Sequence, residues 1–133
     1  MIVIDASTVI SAALEDENTP SADPALDYVA ENGGVIPGNF FTEVVNALAK
    51  AERRGRIDSV KADIILSEIL SLPLSVEMPD PHAVLVAARV HQLTAYDAAY
   101  LALAIQVEIP LATVDEKLSK AAKAAKCAWK PRR

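Results

Sequence analysis

Four carboxylates stand far apart in this chain, at places where an open α/β sheet would gather them: Asp5, Glu43, Asp97 and Asp115. Asp5 ends the apolar run Met1-Ile2-Val3-Ile4, and Asp115 ends Leu111-Ala112-Thr113-Val114. Each run reads as a short buried strand, and each acid begins the turn into a helix. Ligands of open α/β sheets bind outside the carboxyl ends of the strands. Glu43 and Asp97 belong to the first turns of two further helices. Carboxylates converging on one sheet edge repel one another; a hard divalent cation such as Mg²⁺, with Mn²⁺ as a substitute, removes that penalty. Such an ion activates water and offsets charge on a phosphoryl group. Each acid taken alone has a structural use. Asp5 and Asp115 suit N-caps, Thr94-Ala95-Tyr96-Asp97 has capping-box spacing, and the helix dipole favours Glu43. The set, rather than any member, points to metal chemistry.

The elements that must position these acids follow from periodicity and turn residues. Strands are expected at Met1–Ile4, Val35–Pro37, Leu74–Glu77 and from Leu111, with Cys127-Ala128-Trp129 as a short edge strand. Helical spacing predicts helices over Ser7–Leu14, Asp23–Asn32, Phe40–Arg54 and from Asp58 to before Pro73. Three more are expected from Asp80 to about His91, Ala95 to about Gln106, and Glu116 to about Ala125. Gly33-Gly34 and Gly55 act as stops, and Glu15–Pro20 reads as a loop. Strands alternating with helices imply right-handed crossovers and a mainly parallel sheet. No repeat or interdomain linker interrupts residues 1–133, which are expected to form one domain. Strand order does not follow from the pattern.

Apolar residues make up 52% of the 133-residue chain but aromatics only 5%, so the core must be built of Ala, Val, Leu and Ile. That suits helices packed on a parallel sheet better than a β-sandwich. One cysteine, Cys127, excludes an intramolecular disulfide and fits a reducing cytosol. Neither a secretory signal nor an apolar run near the roughly 20 residues of a membrane span is present, so a cytoplasmic setting without membrane contact is expected. The net charge of −5 argues against a simple polyanion-coating protein. From Glu116 onward, however, Lys117, Lys120, Lys123, Lys126, Lys130, Arg132 and Arg133 face a single acid. On the last helix, Lys117, Lys120 and Lys123 fall opposite Leu118, Ala121 and Ala122. Nucleic acid is therefore not excluded: these lysines are candidates to hold a phosphate backbone, or equally a solvated face.

Four blocks resemble a known family. Met1-Ile2-Val3-Ile4-Asp5-Ala6-Ser7 resembles the opening of PIN domains, especially VapC-type toxins of toxin–antitoxin pairs. Phe41-Thr42-Glu43-Val44-Val45-Asn46-Ala47-Leu48 is similar to that family's acidic helix. The segment from Leu93 through Asp97 to Ala104 is similar to its most recognisable block, and Leu111–Leu118 to its last. The resemblance covers nearly the whole chain in order. It implies a three-layer α/β/α fold and an Mg²⁺-dependent ribonuclease that hydrolyses RNA with metal-activated water. It implies that Asp5, Glu43, Asp97 and Asp115 are the acidic positions, Asp5 and Asp97 foremost as metal ligands. Thr113 matches a hydroxyl position beside the site and Asn46 a polar neighbour of the Glu, while Ser7 is a helix-start hydroxyl. Lys126 departs from the pattern, standing where many relatives have Gly. A cognate antitoxin and a homodimer are implied too, and the aliphatic excess of the helix around Ile64, Ile65, Leu66, Ile69 and Leu70 supports the second.

Rival readings fit less well. A haloacid-dehalogenase-type phosphatase needs a second Asp where Ser7 stands, and a receiver domain needs a paired acid where Ala6 stands. His82 and His91 match no zinc spacing and read as surface residues. A housekeeping RNA-processing nuclease of the same family, and a partner-binding module whose acids only cap helices, both remain open, as does one metal ion versus two.

Overall fold

Short runs flanked by turn residues make β1 (Ile2–Ile4), β2 (Gly34–Ile36) and the largely exposed edge strand β3 (Leu74–Val76), and the pair Leu111–Ala112 makes β4. They form one parallel sheet in the order β3-β2-β1-β4. The computed structural model describes residues 1–14 and 22–131; the expected loop over Glu15–Pro20 lies outside them. All of Ile2, Val3 and Ile4 are buried, as expected where helices cover both faces of a parallel strand.

The helices are α1 (Ala6–Ala13), α2 (Ala22–Asn32), α3 (Phe40–Arg53), α4 (Ser59–Leu70), α5 (Pro81–His91), α6 (Ala95–Val107) and α7 (Glu116–Ala124). Their layering follows from handedness. The chain steps from β1 to β2 through α1 and α2, then onward in the same direction to β3 through α3 and α4. It then returns across the sheet to β4 through α5 and α6. Right-handed crossovers run in opposite directions place the two sets of helices on opposite faces. Accordingly α1 packs with α2 and α3, while α6 packs with α5, α7, β1 and β4. The result is the expected α/β/α sandwich.

Reversal of direction leaves a switch point between β1 and β4. A crevice opens at such a point, at the carboxyl ends of the two strands. Asp5 and the segment following Ala112 meet there, joined by a bond from Asp5 N–H to the Ala112 carbonyl at 3.4 Å. Helix α6 is the helix most deeply enclosed, with every residue from Ala98 to Ala104 buried. Its alanines allow close approach to the sheet on one side and to α5 and α7 on the other.

Helix ends explain the Lys126 departure. After α3, Gly55 (φ 72°) donates to the Glu52 carbonyl and Arg56 N–H to that of Ala51. After α7, Lys126 (φ 60°) donates to Lys123 and Cys127 to Ala122 in the same pattern. Both are Schellman motifs, which call for a left-handed residue at the position that Gly55 and Lys126 occupy. A side chain there costs about 1–2 kcal/mol of strain, partly offset because glycine adds about 0.5–1 kcal/mol of chain entropy to lose on folding. Lys126→Gly is therefore expected to raise stability by up to about 1 kcal/mol, read as a later urea midpoint with unchanged slope.

Beyond this turn, Leu111 N–H donates to Cys127 at 2.7 Å and Trp129 N–H to Leu111 at 2.9 Å. The expected edge strand is thus a single parallel bridge between Leu111 and Ala128. Among the exposed apolar side chains, α4 contributes Val60, Ile64 and Leu70. An apolar groove of about 740 Å³ lies between α5 and α6, and its lining includes Val86, Val90 and Ile105 together with His82 and His91. No helix among the described residues is long and apolar enough to cross a membrane.

Candidate active site

Asp5 occupies the end of β1 with extended backbone and caps α1, accepting the Thr8 N–H at 3.0 Å. Its remaining capacity is filled by hydroxyls: Thr8 Oγ1 at 2.5 Å on Oδ1, and Ser7 Oγ at 2.8 Å and Thr113 Oγ1 at 2.6 Å on Oδ2. Only 3% of Asp5 is exposed. Burial pushes its carboxyl above the ordinary range, against the pull of Thr113, Thr8 and Ser7.

Two threonines sew the β1 and β4 exits together by the same device. Thr8 Oγ1 donates to Asp5 and accepts the Val114 N–H at 3.1 Å. Thr113 Oγ1 donates to Asp5 and accepts the Asp115 N–H at 3.0 Å. Asp115 is in turn the N-cap of α7, with Oδ2 accepting the Leu118 N–H at 2.8 Å. Thr113 was legible beforehand as a hydroxyl beside the site. Thr8 was not, although it stands at the third helical position, where a capping Asp finds its amide partner.

Glu43 enters from the first turn of α3. Its Oε2 accepts the Asn39 side-chain amide and, at 2.9 Å, the phenol of the buried Tyr100 on α6. Tyr100 thus ties the two helical layers together beneath the acids. Burial, and next the charge of Glu43, drive its hydroxyl far above its usual pKa, so it remains a donor. Sequence reasoning missed both partners. The signal for Tyr100 is its place one helical turn after Asp97, on the same face of α6.

Asp97 lies in the first turn of α6, where Thr94 Oγ1 accepts its N–H at 3.2 Å. Its carboxyl is raised by burial and then by the charges of Asp115 and Asp5, with Thr94 and Lys117 acting the other way. Burial likewise raises Glu43 foremost, against its bonds from Tyr100 and Asn39, with the Asp97 and Asp5 charges adding to the rise. The acids therefore share one field although they come from opposite faces of the sheet. Ser7, Glu43, Asn46 and Asp115 also line one open cavity of about 560 Å³ between α1 and α3. Lys117, Lys120 and Lys123 are exposed on the outer side of α7. Of the three, Lys117 is the one whose charge is felt at Asp97.

This donor set fits a hard divalent cation in kind: the charges of Asp115 and Asp5 raise the Asp97 carboxyl, those of Asp97 and Asp5 raise Glu43, and amide and hydroxyl oxygens stand around them. It does not close into a cage as it stands. Among the described residues, no three Asp, Glu, His or Cys side chains are grouped tightly enough to hold one ion.

The family model of the PIN domain matches residues 2–124, and the chain belongs to that family. Ribonuclease VapC3 of Pyrobaculum aerophilum is 29% identical over 123 residues, covering 90% of this chain and 92% of the relative. Ribonuclease VapC12 of Mycobacterium tuberculosis is 30% identical over 124 residues, covering 90% and 91%. The crystal structure of PAE2754 from Pyrobaculum aerophilum superposes with a TM-score of 0.75 at 28% identity, covering 96% of this chain and 87% of that one.

Proposed function

We propose that this chain is a VapC-type endoribonuclease, the toxin of a toxin–antitoxin pair, working with Mg²⁺ in the cytoplasm and carrying its activity in one domain over residues 1–133. One observation carries the reading: the four acids that resemble the family's acidic positions meet electrostatically at the switch-point edge of a PIN fold. Curated relatives named as ribonucleases, aligned over nine-tenths of the chain, supply the substrate class.

In this reading Asp5 and Asp97 are the principal ligands, and Glu43 and Asp115 complete the set. A bound divalent ion supplies Lewis-acid stabilisation of phosphoryl charge and a lowered pKa for water. The protein's own work is positioning. Asp5 already accepts four donors, the full lone-pair capacity of a carboxylate. A metal contact therefore requires one hydroxyl to turn away, and Ser7, the exposed one, is free to do so. Thr8 and Thr113 keep the β4 exit, and with it Asp115, in register with Asp5. Asn39 and Tyr100 both hold Glu43 by Oε2, which leaves Oε1 as the oxygen to offer a metal. The test is end-mapping of cellular RNA after expression of the wild type and of Asp5→Asn. New 5′ ends seen with the first and lost with the second support the reading; identical maps reject it.

A small antitoxin encoded beside the gene is the expected restraint, docking a helix or strand-like segment into an apolar groove. Growth arrest on expression alone, relieved by the neighbouring gene, supports this; absence of arrest favours RNA processing instead. Burial of the exposed aliphatics on α4 or α5 in a homodimer is the expected assembly, and light scattering reads it directly. The α7 lysines carry a further prediction. Replacing Lys117, Lys120 and Lys123 by Gln in the Asp5→Asn protein is expected to flatten the salt dependence of RNA binding by about 0.7 for each phosphate that is no longer held. An unchanged slope assigns those lysines to solubility.

A further inference from the structure

The cavity beside the acids does not end at them. Its wall on α3 is the stripe Glu43, Asn46, Ala47 and Lys50, four positions that share one side of the helix next to its buried Phe40-Val44-Leu48-Ala51 face. Helix α1 faces it with Ser7, Ile10 and Ser11. The cleft therefore begins at carboxylates and finishes, two helical turns along, at an exposed ammonium. Glu43 and Lys50 are about 10 Å apart along the helix axis, and both side chains lean toward the helix start, so that separation persists. Lys50 makes no ion pair among the described residues. In a region dominated by acids, an unpaired base at the far end of the cleft gives it a polarity: cation-seeking at one end and anion-seeking at the other.

The geometry points to the α1–α3 cleft as the track of the RNA strand leaving the scissile phosphate, with Lys50 binding a neighbouring phosphate. This rests on the ribonuclease reading above. Phosphate fits for three reasons. The cavity is continuous with Glu43 and Asp115, so its occupant also reaches the chemistry. Its openness to solvent suits a chain that threads through rather than a small molecule that is enclosed. A lysine recognises phosphate as a point charge and needs no base-specific geometry. The cleft wall also carries hydroxyl and amide groups, from Ser7 and Asn46, which are common partners of backbone oxygens.

Two measurements test this. A labelled single-stranded RNA of mixed sequence is titrated into Asp5→Asn protein, with and without Lys50→Gln, across a range of salt. Lys50→Gln is expected to weaken binding about tenfold at low salt and to reduce the salt slope by about 0.7, one phosphate's worth on a single strand. Lys50→Arg should restore both, and Lys61→Gln, on exposed α4, should change neither. In the otherwise wild-type enzyme acting on total cellular RNA, Lys50→Gln should raise KM while kcat stays within about twofold. If the wild type cleaves no RNA with Mg²⁺ or Mn²⁺, the ribonuclease reading itself fails. If it cleaves but Lys50→Gln leaves affinity, slope and KM unchanged, the strand track is wrong. Unchanged RNA parameters together with loss of a co-expressed protein partner would overturn it in favour of a protein-docking cleft.

Discussion

Asp5→Asn is expected to lower RNA cleavage at least about 100-fold, the scale of several kcal/mol of lost transition-state stabilisation, while the protein remains folded. The structure explains why the fold survives. Thr8 N–H can only donate, so the carbonyl oxygen of the substituted side chain must take the Oδ1 place. The new amide then faces Ser7 Oγ and Thr113 Oγ1, hydroxyls that rotate to accept instead of donate. Asn is also as good an N-cap as Asp. Removing a buried charge that is disfavoured by desolvation compensates further, so stability should stay within about 1 kcal/mol of wild type. Asp97→Asn should behave alike, since its charge is opposed by both Asp115 and Asp5. Circular dichroism and urea unfolding check the fold, and cleavage of total RNA under saturating Mn²⁺ checks activity. Full activity in either variant removes it from the catalytic set; unfolding of both returns these acids to a purely structural role.

Most of this arrangement was legible where local rules decide. Asp5, Asp58 and Asp115 cap the helices that follow them, and Thr94 caps the amide of Asp97, as side-chain type and spacing require. Strands β1, β2 and β4 were readable because a strand buried on both faces is an apolar run, whereas β3 is a largely exposed edge strand with Ser75 at its centre. What was not legible depends on pairing across the fold. The order β3-β2-β1-β4 decides that Asp5 and Asp115 share a crevice, yet no residue encodes it alone. Thr8 needs the β4 exit beside it before its second bond exists, and Tyr100 needs α3. Periodicity marked the aliphatic excess of α4 but overlooked the groove between α5 and α6. The alternation there looks like an ordinary core face, and only the folded chain shows that none of its described residues covers it. Convergence of the acids was anticipated; their failure to close around one point was not, because the sequence does not show that Asp5 commits its oxygens to four internal donors.

Those unbalanced charges make stability depend on pH in a direction opposite to that of salt-bridged carboxylates. Asp5, Glu43 and Asp97 all have carboxyls raised above their ordinary values, each chiefly by burial. The folded state thus holds its protons more tightly than the unfolded chain does. Their contribution to stability is fully present below the ordinary carboxylate range, near 4, and is lost as pH rises through the raised folded values. Metal-free protein is therefore expected to melt at progressively lower temperature as pH increases from the mildly acidic range to neutrality. Asp97→Asn should flatten that decline, which separates the site from other titrating groups. A divalent ion replaces the protons, so Mn²⁺ affinity should rise over the same pH range. At 100 times its Kd the ion adds about 2.7 kcal/mol, on the order of 10 °C for a chain of this size. With Mn²⁺ saturating, the decline in melting temperature should weaken or reverse. Scanning calorimetry with and without Mn²⁺ across pH reads both effects. A metal-free melting temperature that rises toward neutrality, or one that Mn²⁺ leaves unmoved at neutral pH, would show that these carboxylates are not an ion site waiting for its charge to be balanced.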